Sequence, residues 1–419
     1  MDLDSSHPNK ENPHQAVILP QIVANIVTFL PKSDLISCTL INSTWEDEAR
    51  LPLLFLSQFI LDAQNIAHHE EISTVRGNSA RNIVVSEFPN LSREGPCGNF
   101  FSTHGHKVKR LETRLLQPDV KWSQFFEILS NTFPNLTAVT LFIDHTTPNY
   151  TEFPPKIAVF SKVKQLAIYM PSNFMDEDRI RQSVVESFLN FAPTLTSLTL
   201  INIPLVGPIR ENTVKLTRLE IGHDFIYNLL PPSITAMLKM SSATLVNLRF
   251  SRVSNIEPSV VRNYEQLLIL FPILPKLRVF ELVHNDFSTR LGGTMVTRAI
   301  NLTFENGSAV TKLPYAEQFP VLETLRVLKG VSSQNDKLTE QQFFEASVSF
   351  LYNSFLHPSN TPCLSLRDLA IPDPEGEEIF KFFNVLECVC EKGFYHGECF
   401  VLKDPSEVLE RAVFPNWTH

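Results

Sequence analysis

Two hydrophobic patterns divide this chain. Near the N-terminus, apolar residues recur three or four positions apart in "PQIVANIVTFLP" and "SDLISCTLINSTW", which is the spacing of one side of a helix. Pro20 and Pro31 bracket the first run, Ser33 is the expected N-cap of the second helix, and Asp34 suits its positive end. A third helix is predicted in "EDEARLPLLFLSQFI" or just beyond it. A unit this small cannot bury all its apolar side chains, so the surplus indicates a partner.

The rest of the chain repeats a phrase of the form Leu-x-x-Leu-x-Leu, with conservative variants. Its copies begin at residues 136, 163, 195, 216, 245, 277, 322 and 366, and a degenerate copy begins at Val108. Several copies follow a proline, as in "FPNL", "APTL", "LPKL" and "FPVL". Proline ends a preceding helix and biases its neighbour toward an extended backbone. Each phrase therefore predicts a strand.

Helical patterns fill the intervals between the phrases. They read "WSQFFEILSNTF", "RIRQSVVESFLNF", "VVRNYEQLLILF" and "EQQFFEASVSFLYNSF". Alternation of such strands and helices at this period predicts an α/β repeat, a leucine-rich-repeat solenoid with a curved parallel sheet and outer helices. The two longest intervals predict insertions, or a degraded repeat near "RAINLTFENG". The alternative is an ordinary α/β protein with a doubly wound sheet, which needs glycine-rich turns where ligands bind.

Composition excludes several classes of function. Only 13 glycines occur among 419 residues, and neither the Rossmann nor the P-loop glycine motif is present. The net charge is −9 and the basic residues are scattered, which argues against a nucleic-acid partner. The polar start carries no targeting pattern and the most apolar stretch is too short to span a bilayer. We therefore expect no membrane association, and a cytoplasmic or nuclear protein with reduced thiols.

No candidate for metal or catalytic chemistry is strong in the sequence. Cys388, Cys390, His396 and Cys399 cluster near the C-terminus, but the first two lie in an apparently helical run. Residues two apart on a helix point in nearly opposite directions, so a shared zinc ion is not expected. No known nucleophile or paired-carboxylate motif stands out. We expect no catalytic residue, no metal and no cofactor.

The N-terminal segment resembles an F-box, the helical module that docks on the Skp-family adaptor of cullin-based ubiquitin ligases. The resemblance rests on an ordered set of positions: Ile18, Pro20, Ile22, Ile26, Leu30, Asp34, Leu35, Cys38, Leu40, Ile41 and Trp45. The sequence departs from the family pattern at Gln21 and at residues 42–44. An F-box followed by leucine-rich repeats is a familiar family arrangement.

This resemblance implies a non-catalytic substrate-recognition subunit of an SCF-type ubiquitin ligase. The F-box would bind the adaptor, and through it a cullin, while the solenoid would hold a protein target. The residues expected at the adaptor interface are Leu19, Pro20, Ile22, Ile26, Leu30, Leu35, Cys38 and Trp45. The alternative is a leucine-rich-repeat scaffold whose F-box-like helices only cap the solenoid. In that case Ile22, Ile26 and Leu35 should be buried against the first repeat, around residues 108–116.

Strand alternation identifies candidate positions for target binding. The leucines of each phrase face the core, so the residues between them face the concave side. The candidates are Gln165, Arg218, Glu220, Asn247, Arg249, Glu281, Arg326 and Asp368. Their mixture of both charge signs suits a protein surface or a peptide.

The expected domain order follows from these patterns. Residues 1–16 form a polar tail and 17–60 the F-box-like module. Residues 61–105 are a linker or a degenerate repeat cap, 106–392 the solenoid, and 393–419 a C-terminal cap or tail.

Overall fold

The structure is a computed structural model of the chain. It describes residues 19–56, 58–62, 65–66, 81–85, 97–115, 122–143, 159–170, 185–186, 188–203, 214–222, 231–253, 268–284, 301–308, 311–329, 354–355, 357, 359–361, 363–370 and 399–400. These residues form an α/β protein in which a large parallel sheet is combined with helices, which confirms the predicted class. The chain divides into an N-terminal unit, up to Thr113 with Thr132–Leu136, and a C-terminal unit, Arg114–Asn131 with Thr137 onward.

Three helices follow one another in the N-terminal unit: α1 (Pro20–Val27), α2 (Lys32–Cys38) and α3 (Ser43–Leu56). Pro20 opens α1, where a missing N–H leaves no intrahelical bond unmade. The N-cap of α2 is Pro31, so Ser33 lies inside the helix and the predicted cap is wrong. Asn42 precedes α3, and its Oδ1 accepts the backbone N–H of Trp45 at 3.1 Å. This bond satisfies one of the free donors at the start of the helix.

The N-terminal unit also contains strands. They are β1 (Gln58–Leu61), β2 (Asn82–Val85) and β3 (Arg110–Leu115), of which β3 crosses the division between the units. They pair in parallel and in chain order. Helix α4 (Gly98–His104) and a 3-10 turn (Gly105–Lys107) lie between β2 and β3. Parallel strands thus already occur ahead of residue 106, where the sequence predicts the repeats to begin.

The remaining elements are α5 (Trp122–Thr132), β4 (Ala138–Ile143), β5 (Gln165–Tyr169), β6 (Ser197–Ile201), β7 (Arg218–Gly222), α6 (Pro231–Ser241), β8 (Asn247–Val253), β9 (Leu268–Phe271), β10 (Val279–His284), β11 (Asn301–Phe304), α7 (Tyr315–Gln318), β12 (Thr324–Lys329), β13 (Asp368–Ala370) and β14 (Cys399–Phe400). In the C-terminal unit the main sheet runs β4-β5-β6-β7-β8-β10-β12-β13, all in parallel. β14 pairs antiparallel with β13. The order of the described strands runs strictly forward, whereas a doubly wound sheet reverses at a switch point.

Each of the eight phrases supplies one strand of this sheet. Neighbouring strands pair in register, so the second leucine positions form one row: Val139, Leu166, Leu198, Leu219, Leu248, Phe280, Leu325 and Leu369. Wherever the side chain is described, the three leucine positions of a phrase are at most 3% exposed. Burying one such side chain contributes roughly 1.5–3 kcal/mol. A one-residue slip would turn the whole row outward, so burial fixes the register.

A second, two-stranded parallel sheet pairs β9 with β11. The segment "VVRNYEQLLILF" is predicted to be helical, but its last four residues form β9, so that part of the prediction is wrong. The segment "RAINLTFENG" contains β11, which pairs with β9 and not with the main sheet. The main sheet passes directly from β10 to β12. The long interval there is therefore an insertion and not a degraded repeat of the main sheet.

Aromatic side chains join the two sheets of the C-terminal unit. The Phe271 ring of β9 lies 6.0–6.1 Å, centroid to centroid, from the rings of Phe250, Phe280, Phe304 and Phe319, each at a steep angle. Edge-to-face packing of this kind adds to the gain from burial. All five rings are buried. In this part of the chain a layer of strands therefore covers the main sheet.

Candidate protein-interaction surfaces

Helix α1 carries apolar side chains on two sides. One side holds Val23 and Val27, which are 0% and 2% exposed. The other holds a row at intervals of three and four residues, consisting of Leu19 at its N-cap, Ile22, Ile26 and, just past its end, Phe29. Their exposed fractions are 49%, 41%, 41% and 86%. A helix that is apolar on both sides is normally buried on both. On α1 the second apolar row is instead exposed to solvent.

Helix α2 and the turn after it extend this exposed surface. Ile36 is 50% exposed, Leu40 84% and Ile41 57%. With the row on α1 they form what we call the N-terminal apolar face: Leu19, Ile22, Ile26, Phe29, Ile36, Leu40 and Ile41. Scattered single apolar residues on a surface need no explanation, but seven within 23 residues of chain make this face a candidate interaction surface.

The opposite sides of these helices form a small core. Val23, Val27, Leu35, Cys38 and Ala49 are buried together, and Leu30, Trp45 and Leu53 pack against them partly exposed. Burial, with a smaller contribution from the Asp34 carboxylate, raises the pKa of the Cys38 thiol. The core is therefore internal to the helices.

The predicted adaptor residues thus separate into three groups. Leu19, Pro20, Ile22 and Ile26 are exposed, Leu30 and Trp45 are half-buried, and Leu35 and Cys38 are buried. Leu35 and Cys38, which the sequence predicts at the adaptor interface, instead lie in the core of the helices. Phe29, Ile36, Leu40 and Ile41 are exposed but absent from the predicted set. Phe29 follows Ile26 by three residues and so continues the spacing of the row on α1.

The second candidate surface is the open face of the main sheet, formed by the residues between the buried leucines. On its C-terminal strands, β7 to β13, charged side chains form a ladder of ion pairs. Glu220 pairs with Arg218 of its own strand at 3.9 Å and with Arg249 of the next at 3.5 Å. Glu281 continues the ladder with Arg249 at 3.7 Å and Arg326 at 3.3 Å.

The ladder ends where Arg326 binds Asp368 at 2.7 Å. A second bond, from Arg326 Nε to the same carboxylate oxygen at 3.2 Å, makes this the tightest pair in the ladder. The hydrogen bond to Asp368 raises the pKa of the Arg326 guanidinium. Arg218, Glu220, Arg249, Glu281, Arg326 and Asp368 all belong to the predicted target-binding set, yet each has a charge partner within the sheet. Arg218 pairs within β7, and the other five link neighbouring strands in the free chain.

The N-terminal strands of the open face, β4 to β6, differ in kind. Their described outward side chains are Ala138, Thr140, Phe142, Gln165, Ala167, Tyr169, Ser197 and Thr199, and none is charged. Ile201, the register partner of Tyr169 on β6, is buried. Phe142 and Tyr169 are register partners whose rings stack with centroids 4.9 Å apart and planes at 16°. The Arg114 guanidinium lies 5.5 Å above the Phe142 ring. Of the predicted target residues, Gln165 is on these strands and exposed, and Asn247 lies on β8.

Phe142 and Tyr169 are absent from the predicted target-binding set because that set contains only polar residues. Both occupy the same place, the residue directly after a phrase. Continuing each phrase by one residue would have found them.

The part of the chain that the structure describes offers no group of three or more His, Cys, Asp or Glu able to hold a metal ion. Cys388, Cys390 and His396 lie outside the described residues, as does the side chain of Cys399. Within the same described part, no helix is both long enough and apolar enough to cross a bilayer.

The sequence matches no protein-family model, and no curated protein matches it significantly.

Proposed function

We propose that this chain is the substrate-recognition subunit of an SCF-type cullin ubiquitin ligase. In this proposal the N-terminal helices act as an F-box and bind a Skp-family adaptor. The parallel-sheet unit acts as a leucine-rich-repeat solenoid and holds a protein target. The chain itself supplies no chemistry, because positioning a target lysine beside a ubiquitin carrier accelerates transfer through proximity.

The observation that carries the proposal is the N-terminal apolar face. Seven large apolar side chains are exposed on α1, α2 and their flanking turns, beside a core of only five fully buried residues. An interface that buries several of these side chains would gain about 1.5–3 kcal/mol for each. That sum can exceed the cost of associating two proteins.

Three features of the main sheet support the solenoid part of the proposal. Its described strands β4 to β8, β10, β12 and β13 follow chain order, they pair in register, and the leucine positions whose side chains are described are buried. Stacked repeats produce this arrangement because each unit contacts chiefly its sequence neighbours. The separate pair of strands β9 and β11 has no counterpart among the other described units, so these units are not uniform.

The second candidate is a scaffold whose N-terminal helices only cap the repeats. It expects Ile22, Ile26 and Leu35 to be buried against residues 108–116. Ile22 and Ile26 are each 41% exposed, and Leu35 packs with the core of the helices themselves. The exposure of the two isoleucines favours the ligase subunit over the cap.

Binding of the full chain to a purified Skp-family adaptor tests the proposal. We expect a stable complex that Ile26→Glu weakens by at least about tenfold, because a carboxylate would be buried in an apolar interface. The matched control is Ile60→Glu on β1, since Ile60 is also an exposed isoleucine of the N-terminal unit, at 58%. It should bind as the parent does.

Two results would count against the proposal. One is the absence of any complex between the adaptor and the parent chain. The other is equal weakening by Ile26→Glu and Ile60→Glu. Circular dichroism of both variants checks that each retains its helices. If both do, a loss of binding reflects the surface and not unfolding.

A further inference from the structure

The open face of the C-terminal unit contains two regions with opposite electrostatic states. On β7 to β13 the ion-pair ladder satisfies the charges of Arg218, Glu220, Arg249, Glu281, Arg326 and Asp368 among themselves. A ligand that competed for one of them would break an existing ion pair and leave the other charge of that pair without a partner. The ladder is therefore a poor place to recruit a charged partner.

On β4 to β6 the situation is reversed. Beside these strands, on β3, Arg114 is exposed, and among the described residues its guanidinium contacts the Phe142 ring but no carboxylate. Glu112, two residues earlier on β3, is half-buried and has an interaction of its own. The described outward side chains of these three strands include no acid, although the chain as a whole carries a net charge of −9. A guanidinium carries a fixed charge and a planar fork of N–H donors, so an exposed arginine such as Arg114 can bind a carboxylate in a bidentate way.

Beside this cation lies a surface suited to a backbone and an apolar side chain. The stacked rings of Phe142 and Tyr169 are half-buried and form a rigid edge. Two residues earlier along strands β4 to β6, the register partners Thr140, Ala167 and Thr199 are small, so an extended chain can approach the sheet closely there. Aromatic rings and arginine are the side chains that most often dominate the energy of protein interfaces.

We propose that β4 to β6, and not the charged strands, bind the target, and that the target presents an extended segment with a carboxylate beside an apolar side chain. The carboxylate pairs with Arg114 and the apolar side chain packs on Phe142 and Tyr169. This inference deepens the proposed function, since it assigns the chemistry of the target to one part of the sheet. It rests on the ligase proposal only for the fate of the bound protein.

Selection of a randomised peptide library against the full chain provides the test. We expect the enriched peptides to share an acidic residue next to an aromatic or aliphatic one. Synthetic versions of these peptides should bind the Arg114→Ala variant about tenfold or more weakly than the parent chain, because a charge-assisted pair is removed. A similar loss of affinity is expected for Tyr169→Ala.

The matched control is Arg218→Ala. It removes the same charge from the same open face, but from a half-exposed position in the ladder, so affinity should stay within about twofold of the parent. A charge exchange sharpens the test, since Arg114→Glu should reject the acidic peptide and accept one in which lysine replaces the acid.

The inference is overturned if the enriched peptides lack the acidic and apolar pair, or if Arg114→Ala and Tyr169→Ala leave their binding unchanged. It is also overturned if no peptide is enriched. Adaptor binding by the Arg114 and Tyr169 variants is measured in parallel. Peptide binding without adaptor binding would reject the ligase proposal while leaving this inference standing.

Discussion

Large apolar side chains are buried in the main sheet of this protein and exposed on its N-terminal helices. In the main sheet every described leucine position of the repeated phrase is at most 3% exposed. In α1, α2 and their turns, seven large apolar residues are at least 41% exposed. In the sheet, units stacked side by side bury one another's apolar side chains. Three short helices have too little interior for all of theirs. The surplus on the helices is what a binding partner would cover.

The largest expected contrast is between two leucine-to-alanine substitutions. Leu248→Ala removes a side chain that is 1% exposed in the middle of the sheet, and Leu40→Ala one that is 84% exposed after α2. We expect Leu248→Ala to lower the free energy of unfolding by about 2–5 kcal/mol, because it leaves a cavity. We expect Leu40→Ala to change it by less than about 0.5 kcal/mol. Urea unfolding of the full chain measures both, and equal losses would contradict the contrast.

A smaller effect is expected from the ion-pair ladder. Arg326→Met removes hydrogen bonds to Asp368 and Glu281, whereas Arg218→Met removes one pair at 3.9 Å. Both arginines are partly exposed, so we expect a loss of about 1 kcal/mol for Arg326→Met and less than about 0.5 kcal/mol for Arg218→Met. The first loss should shrink in high salt. A ladder that serves only as a target site would show no loss in either variant.

The smallest expected effect concerns pH. Burial, with the nearby Lys312, lowers the pKa of His357 below its ordinary 6.5. The backbone N–H of Ser359 donates to His357 Nδ1 at 3.1 Å, and protonation there would end this bond. The unfolded chain therefore binds the proton first as pH falls. The contribution of His357 is fully present above about pH 6.5 and is lost as the pH falls through the lower folded pKa.

His357→Asn should remove that part of the pH dependence. Stability curves of parent and variant, measured from pH 7.5 down to 5 (about two units across the ordinary histidine pKa), should converge at the acidic end. Parallel curves throughout would show that His357 does not contribute.

Local patterns were sufficient for much of the fold and for part of the candidate sites. Strand phrases with buried leucines and helices with three-or-four spacing are set by neighbours in sequence, so β4 to β8 and α1 to α3 could be predicted. The run "LILF" is different, because a short apolar run fits a strand and a buried helix equally well. Its pairing with β11 makes it a strand, and each paired residue lies 33 positions away along the chain.

The sites failed where the answer depended on distant residues. Spacing could not tell that Leu35 faces the core while Ile36 faces outward, because apolar residues occupy both sides of these helices. Nor could it show that Glu281 meets Arg249 and Arg326, since those contacts require the register of strands many residues apart. The stacking of Phe142 on Tyr169 depends on the same register.

Hydrogen–deuterium exchange of the full chain, with and without a purified Skp-family adaptor, tests the central claim most directly. We expect the adaptor to slow exchange across residues 19–41 and to leave exchange in the strands β4 to β8 unchanged. Unchanged exchange across residues 19–41 at saturating adaptor, or slowing confined to the sheet, would contradict it.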